Sequence, residues 1–327
     1  MPELTTGQAI NKALSLILEN NPTSFIAGED IGVYGGAFGV TDGLLEKFGQ
    51  ERIKDTPIAE DVIAGLAVGS SMTGSRPIVE MQFSDFIVNA MDPIVNQAAK
   101  LHFMYGGAVN VPLIVRGASG AGTGAAAQHS QSLESWFCHV PGLKVVTPSN
   151  PQNAYDLLLH SFVDPNPIIF MEHKLIYKIK ANVKLNDIPK ESSLLGKAEV
   201  SNEGEELTVV SYSNMVNVVK NAISTKDMEN HSIEIIDLQT VSPIDIDTIK
   251  KSLKKTKKLL VCQEAPANSS VGTTVISKIV EGDSFNDLEV APKLISGLHS
   301  PMPSAKHLEL NVIPQEEDII NAIKSML

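Results

Sequence analysis

The stretch "LKVVTPSNPQNAYDLLLHSFVDPNPIIFMEH", Leu143 to His173, decides the fold. "LKVVTPS" and "PIIFMEH" are short, apolar, β-branched runs of the kind buried on both faces of a parallel sheet. "NPQNAYDLLLHSFV" between them carries the spacing of a helix. Strand, helix, strand in this order implies a right-handed crossover between parallel strands.

The same alternation extends in both directions. Upstream, "TTGQAINKALSLILENNP" (Thr5–Pro22) reads as a helix and "SFIAGED" (Ser24–Asp30) as a buried strand. "DTPIAEDVIAGLAVGSS" (Asp55–Ser71) has almost no polar face and reads as a buried helix. "RPIVEMQ" and "VPLIVRG" read as strands, and "SDFIVNAMDPIVNQAAKLHFMY" (Ser84–Tyr105) as a long amphipathic helix interrupted near Pro93. Downstream the pattern lapses between about Lys174 and Glu206 and then resumes. The second set has strands "LTVVSYS", "SIEIIDLQT" and "KLLVCQE", with helices after each and a closing helix "PQEEDIINAIKSML". The expected fold is α/β, with two doubly wound domains. The expected limits are 1–185 for the first domain, 186–205 for a linker and 206–327 for a smaller second domain.

Composition sets further limits. The 327 residues suggest two domains with separate cores. A formal net charge of −12 disfavours a nucleic-acid partner. "KKSLKKTKK" (Lys250–Lys258) reads as a solvated helix face. Cys138 and Cys262 have neither disulfide nor metal spacing. No run reaches the apolar length of a membrane span, about 20 residues. The N-terminal segment lacks the charge and the apolar core of a signal peptide, so a cytoplasmic location is expected.

Three segments are candidates for chemistry. The first is the Asp55–Ser71 helix. With Thr56 as N-cap and Pro57 at the first helical position, a capping box needs its acid at residue 59, which is Ala. Glu60 falls one position late. It is either a first-turn acid facing the helix dipole or a carboxyl among apolar neighbours, able to exchange a proton near neutrality. The second is "GASGAGTGAAAQHSQSLESW" (Gly117–Trp136), a Gly-rich loop just past a strand's carboxyl end. It carries His129 at the edge where open α/β sheets bind ligands. The third is "GEDIGVYGGAFGVTDGL" (Gly28–Leu44). It does not fit a dinucleotide fingerprint, and Glu29 and Asp30 at its mouth oppose a phosphate.

With these residues in view, the chain resembles the β subunit of the thiamine diphosphate-dependent 2-oxo acid dehydrogenase family, pyruvate dehydrogenase type, which is transketolase-like. The matching blocks are "GED-GVYGGAF-VT-GL", "R--DTPIAE", "RPIVEMQFSDF", "AAAQHSQSLE-WF-HVPGLKVV-PS", "DPNPIIF-EHK--Y" and "VCQEA". The resemblance implies that Glu60 hydrogen-bonds the 1′ nitrogen of the thiamine aminopyrimidine. It implies that Glu29 supports that network, that the Ile58 backbone contacts the pyrimidine, and that Phe86 packs on its ring. Gln82 lies beside Phe86, one helical turn earlier. His129 matches the histidine that assists acyl transfer to the lipoyl group. Leu113, Ser161, Asp164 and Asn166 match a structural potassium site, partly through backbone carbonyls.

The chain has no G-D-G motif for magnesium and diphosphate. The resemblance therefore implies an α subunit that holds magnesium, shares thiamine diphosphate and completes an α2β2 heterotetramer. It also implies docking on a lipoyl-bearing acyltransferase core. The expected activity is oxidative decarboxylation of pyruvate with acyl transfer to lipoyl; acetoin and branched-chain 2-oxo acids are the alternative substrates. The pyrimidine half of a transketolase-like enzyme and a non-enzymatic scaffold are competing readings. In "GLHSPMPSAKHLE", His299 and Ser304 stand where the family commonly has Asp and Tyr.

Overall fold

The computed structural model describes residues 1–327. A short strand β1 (Glu3–Thr5) leads into helix α1 (Thr6–Asn20), whose N-cap Thr5 and Gln8 form a reciprocal capping box. Then follow β2 (Ile26–Gly28), α2 (Leu44–Phe48), β3 (Ile53–Asp55), α3 (Glu60–Met72) and β4 (Ile78–Phe83). A 3₁₀ segment Ser84–Ala90, a π-helical segment Asp92–Ala98 and helix α4 (Ala99–Met104) come next. The break expected near Pro93 is there, but the only α-helix in the stretch is the six residues Ala99–Met104. Pro93 has no N–H to return, and the turns around it are wound as 3₁₀ and π. The first domain continues with β5 (Ile114–Ser119), α5 (Glu134–Cys138), β6 (Lys144–Val146), α6 (Pro151–Val163) and β7 (Ile168–His173). Leu143–His173 is thus strand, helix, strand, with β6 and β7 paired in parallel.

The stretch expected as a linker is not structureless. Just before it β8 (Lys180–Asn182) pairs antiparallel with β1, and within it β9 (Glu199–Asn202) joins the sheet of the second domain. That domain runs β10 (Leu207–Ser211), α7 (Met215–Ile223), β11 (Ile233–Asp237), β12 (Thr240–Ser242), α8 (Ile246–Thr256), β13 (Leu259–Pro266), α9 (Val271–Val280), β14 (Lys293–Gly297), α10 (Lys306–Val312) and α11 (Glu316–Lys324). Its sheet order is β14-β13-β10-β11-β9, parallel except for β9.

The larger sheet has the order β12-β6-β7-β5-β4-β2-β3 and is parallel except for β12. β12 belongs in sequence to the second domain but closes the edge of the first domain's sheet. Each domain has a buried apolar cluster of its own, as expected, but a third and larger one is shared. A cluster of 35 buried apolar residues runs from Val79 and Val115 in the first domain to Val210, Val261 and Val275 in the second. Clusters of 26 and 15 residues lie on the outer faces. The domains share a core, which fixes their relative placement. Cys138 and Cys262 are free thiols. No helix is long and apolar enough to cross a membrane.

Candidate active site

Four adjacent strands, β5, β4, β2 and β3, end on the same edge of the larger sheet, because all four run parallel. The loops that leave those ends carry every residue singled out for thiamine binding or acyl transfer. β2 is followed by Glu29 and Asp30, and β3 by Ile58 and Glu60. β4 ends at Gln82 and Phe83 and leads to Phe86, and β5 leads to His129. Topology alone gathers these positions at the edge where open α/β sheets take ligands.

Helix α3 starts later than its sequence suggests. The Thr56 amide donates to the Gly28 carbonyl at 2.9 Å, so Thr56 extends the β3 pairing and is not the N-cap. The N-cap is Ala59, with no side-chain cap, and Glu60 is the first helical residue. The helix is also not buried all round. Val62 and Leu66 are 63% and 45% exposed, and Ile58 just ahead of the helix is 80% exposed. Glu60 itself is buried, and its Oε2 accepts from Asn89 Nδ2 at 3.3 Å. Glu29 is buried too, and its Oε1 has no hydrogen-bond partner. Burial first, and then the charges of Glu60 and Asp30, push the Glu29 carboxyl above its usual range. Crowded acids with an orphaned oxygen fit a ligand whose ring nitrogens exchange or share a proton.

Gln82 is not one helical turn before Phe86. It sits near the end of β4, and its Nε2 donates to Asp30 Oδ2 at 3.1 Å. The residue that does pair with Phe86 is Phe83, with ring centroids 6.2 Å apart and edge to face. His129 stands against both rings, 4.7 Å from Phe83 and 5.2 Å from Phe86, perpendicular to each. Its imidazole is thus fixed in an aromatic corner and partly open to solvent.

Several residues of the site were not singled out from the sequence. Asp85 Oδ1 accepts from the Gln131 amide and side chain, both at 3.0 Å, while its buried Oδ2 has no partner. The Lys174 ammonium is buried and donates to the carbonyls of Gly120 and, at 2.6 Å, His129. Beneath the loops lies a buried charge cluster on β5, β7 and β4. Arg116 is bidentate to Glu172, at 2.8 and 2.6 Å, and also bonds Glu80. Tyr177 donates to Glu172 at 2.7 Å. Burial raises the Glu80 carboxyl despite Arg116. A buried Arg was the available signal, since "VPLIVRG" puts a charge inside an otherwise apolar strand.

The four positions matched to potassium surround the turn after α6. Asp164 Oδ1 accepts from the Asn166 amide at 3.0 Å and side chain at 2.8 Å, and Oδ2 accepts from Lys144 at 2.5 Å. Burial opposes ionisation, but these bonds hold the carboxyl below its usual range. The Asp164 carbonyl accepts from Arg76, and the Ser161 carbonyl accepts from the Asp164 amide. Two cations therefore already serve this turn, and no group of three or more His, Cys, Asp or Glu side chains could hold a metal ion. The Ser161 hydroxyl, by contrast, is buried with no hydrogen-bond partner, so one side-chain oxygen at this turn is left open beside the carbonyl lone pairs.

The domain order now finds its counterpart among known proteins. Residues 2–180 match the family described as "Transketolase, pyrimidine binding domain", and residues 196–319 match "Transketolase, C-terminal domain". The fold is that of a solved split-gene transketolase, with a TM-score of 0.80 over 99% of this chain and 98% of that one, at 18% identity. The chain is a transketolase-type two-domain protein.

Relatives in sequence narrow the class. The chain is 40% identical to the "Pyruvate dehydrogenase E1 component subunit beta" of Rickettsia bellii, over 99% of this chain and 98% of that protein. It is 39% identical to the mitochondrial protein of the same description in Homo sapiens, over 99% of this chain and 91% of the relative. The chain belongs to the family of pyruvate dehydrogenase E1 component β subunits.

Proposed function

We propose that this chain is the β subunit of a pyruvate-decarboxylating E1 component, active only when an α subunit completes its site. The observation that carries the reading is the convergence of Glu29, Glu60, Phe86 and His129 on one sheet edge, in a chain of this family. Thiamine diphosphate, when bound, supplies the nucleophilic carbon and the electron sink for loss of CO₂ from a 2-oxo acid. Glu60 would hold a proton at the 1′ nitrogen of the aminopyrimidine. Glu29 beside it, with its raised proton affinity, keeps the pair from carrying two full charges. The Ile58 backbone would border the pyrimidine and the Phe86 ring would cover it, while Gln82 steadies Asp30 at the rim. His129, held in its aromatic corner, would present a ring nitrogen to the lipoyl acceptor during acyl transfer.

The diphosphate and magnesium are assigned to the α subunit, since no phosphate cradle occurs in this chain. The α3 surface supports such a partner. Ile58, Val62 and Leu66 are exposed, and Gly65 and Gly69 have open space where a Cβ would project. Glycine inside a helix costs about 0.5–1 kcal/mol relative to alanine, and nothing in this chain calls for it. An α2β2 assembly, and docking on a lipoyl-bearing acyltransferase core, complete the proposal. Potassium at the Asp164 turn, taking the free Ser161 hydroxyl and carbonyl oxygens near Leu113, Asp164 and Asn166, belongs to the proposal.

The test is co-expression with the α subunit and assay of CO₂ release from pyruvate, acetoin and branched-chain 2-oxo acids. Glu60→Gln should leave assembly intact and lower decarboxylation by roughly 10²–10⁴-fold. Normal turnover by the variant would remove Glu60 from its role. Preference for acetoin or a branched-chain acid would replace pyruvate as the substrate.

A further inference from the structure

The loop from Gly120 to Ser132 joins β5 to α5 and carries His129. A segment this rich in glycine has no reason of its own to hold one conformation. Yet two carboxylates reach it from the second domain. Glu309, on α10 and fully buried, accepts from the Gly122 amide at 2.7 Å through Oε1 and from the Gly124 amide at 3.0 Å through Oε2. Glu264, at the end of the "VCQEA" block on β13, accepts from the Ala121 amide at 2.8 Å and the Ser132 hydroxyl at 2.9 Å. Its other oxygen meets His173 Nε2 at 2.8 Å. Lys174 closes the opposite side by donating to the carbonyls of Gly120 and His129.

The backbone is shaped for this hold. Gly122 and Gly124 have φ of +95° and +71°, a region that side-chain-bearing residues rarely enter, and this turns their amides toward one acceptor. A Cβ on Gly122 would lie 2.6 Å from Leu175 Cδ1, so the loop is also pressed close to the first domain. A carboxylate accepting two backbone N–H groups makes charge-assisted bonds stronger than neutral ones. Burying one for no purpose is costly. The outcome is that a residue of the second domain fixes where the loop of the first domain stands.

We infer that Glu309 is a positioning residue for His129: a carboxylate from the second domain that sets the His129 loop for acyl transfer, assisted by Glu264 and Lys174. The inference rests on the acyl-transfer role proposed above, but the clamp itself can be read without activity. It separates the two half-reactions, because Glu60 and Glu29 lie on other loops and keep their places when the clamp is lost.

The test uses the αβ holoenzyme with Glu309→Ala and Glu309→Gln. Amide hydrogen exchange should show the protection of Gly122 and Gly124 falling by about tenfold or more in Glu309→Ala, as expected for loss of a bond to a charged group. Glu309→Gln, which keeps one carbonyl acceptor and the side-chain shape, should restore part of it. Decarboxylation of pyruvate with an artificial electron acceptor should stay within about twofold of the parent, while reductive acylation of lipoamide falls by roughly 10–100-fold, as a displaced reacting group costs. If Glu309→Ala does not fold, the Gln variant carries the same comparison. Unchanged protection of Gly122 and Gly124 would remove the clamp. Lost protection with unchanged acylation would remove its positioning role. A parent holoenzyme without acylation would refute the proposed function instead, and the exchange result would still decide the clamp.

Discussion

The two walls of the site are built to different degrees of completion. The His129 wall is finished within the chain: its loop is bonded by Glu264, Glu309, Lys174 and Asp85, and its imidazole is wedged between two phenylalanines. The Glu60 wall is left open. Its helix begins without a side-chain cap, its key carboxyl has one hydrogen bond of 3.3 Å, and Glu29 next to it has an orphaned oxygen. Apolar residues beside it face outward. The contrast teaches that an isolated site can be read for its missing parts. Orphaned acids mark where a ligand belongs, and an exposed apolar helix face marks where a partner belongs.

The Arg116 cluster ties together β4, β5 and β7, the strands between the two walls, and its loss should have the largest effect. Arg116→Met leaves Glu172 and Glu80 buried without their cation, at a cost of about 3–5 kcal/mol. Thermal unfolding of the full chain should show a large drop in Tm, with decarboxylation and acyl transfer lost together. A change confined to one half-reaction would show that the two walls do not share this floor.

The next effect breaks only the open wall. Leu66→Asp sits on an exposed face, so the stability of the chain should shift by no more than about 0.5 kcal/mol. Co-purification with the α subunit should nevertheless fail. Full assembly of the variant would move the partner surface elsewhere.

The smallest effect sharpens the contrast. The Glu29 carboxyl is held above its ordinary value, so the folded chain binds a proton that the unfolded chain has released. Its ionisation then costs stability as pH rises past the unfolded value of about 4.3, until the raised folded value is passed. Glu29→Gln removes that loss, so the variant should gain Tm relative to the parent at neutral pH and not at pH 4, by about 2 °C. A Tm difference that does not change with pH would mean that Glu29 is not strained by its neighbours.

Much of this was legible in the chain. The parallel strands announced themselves as β-branched runs, and Glu60 and His129 stood out against apolar and Gly-rich surroundings. The start of α3 did not, because the Thr56 amide is taken by Gly28 from a neighbouring strand, which overrides the local capping signal. β12 was invisible, since three residues carry no periodicity and their partner lies in the other domain. The Glu309 clamp was invisible for a related reason: its bonds join residues 187 and 185 positions apart. Local pattern reports local structure, whereas a carboxylate in "SAKHLE" gives no sign of which amides it will find.

The most direct test of the unequal walls is amide hydrogen exchange on the full chain, alone and with the α subunit. The account predicts that Gly122, Gly124 and Gln131 are protected in the isolated chain and gain little from the partner. It predicts that Asp61 and Val62, in the uncapped first turn of α3, exchange freely alone and become protected on assembly. Equal protection of both walls in the isolated chain, or no gain at α3 when the partner binds, would contradict it.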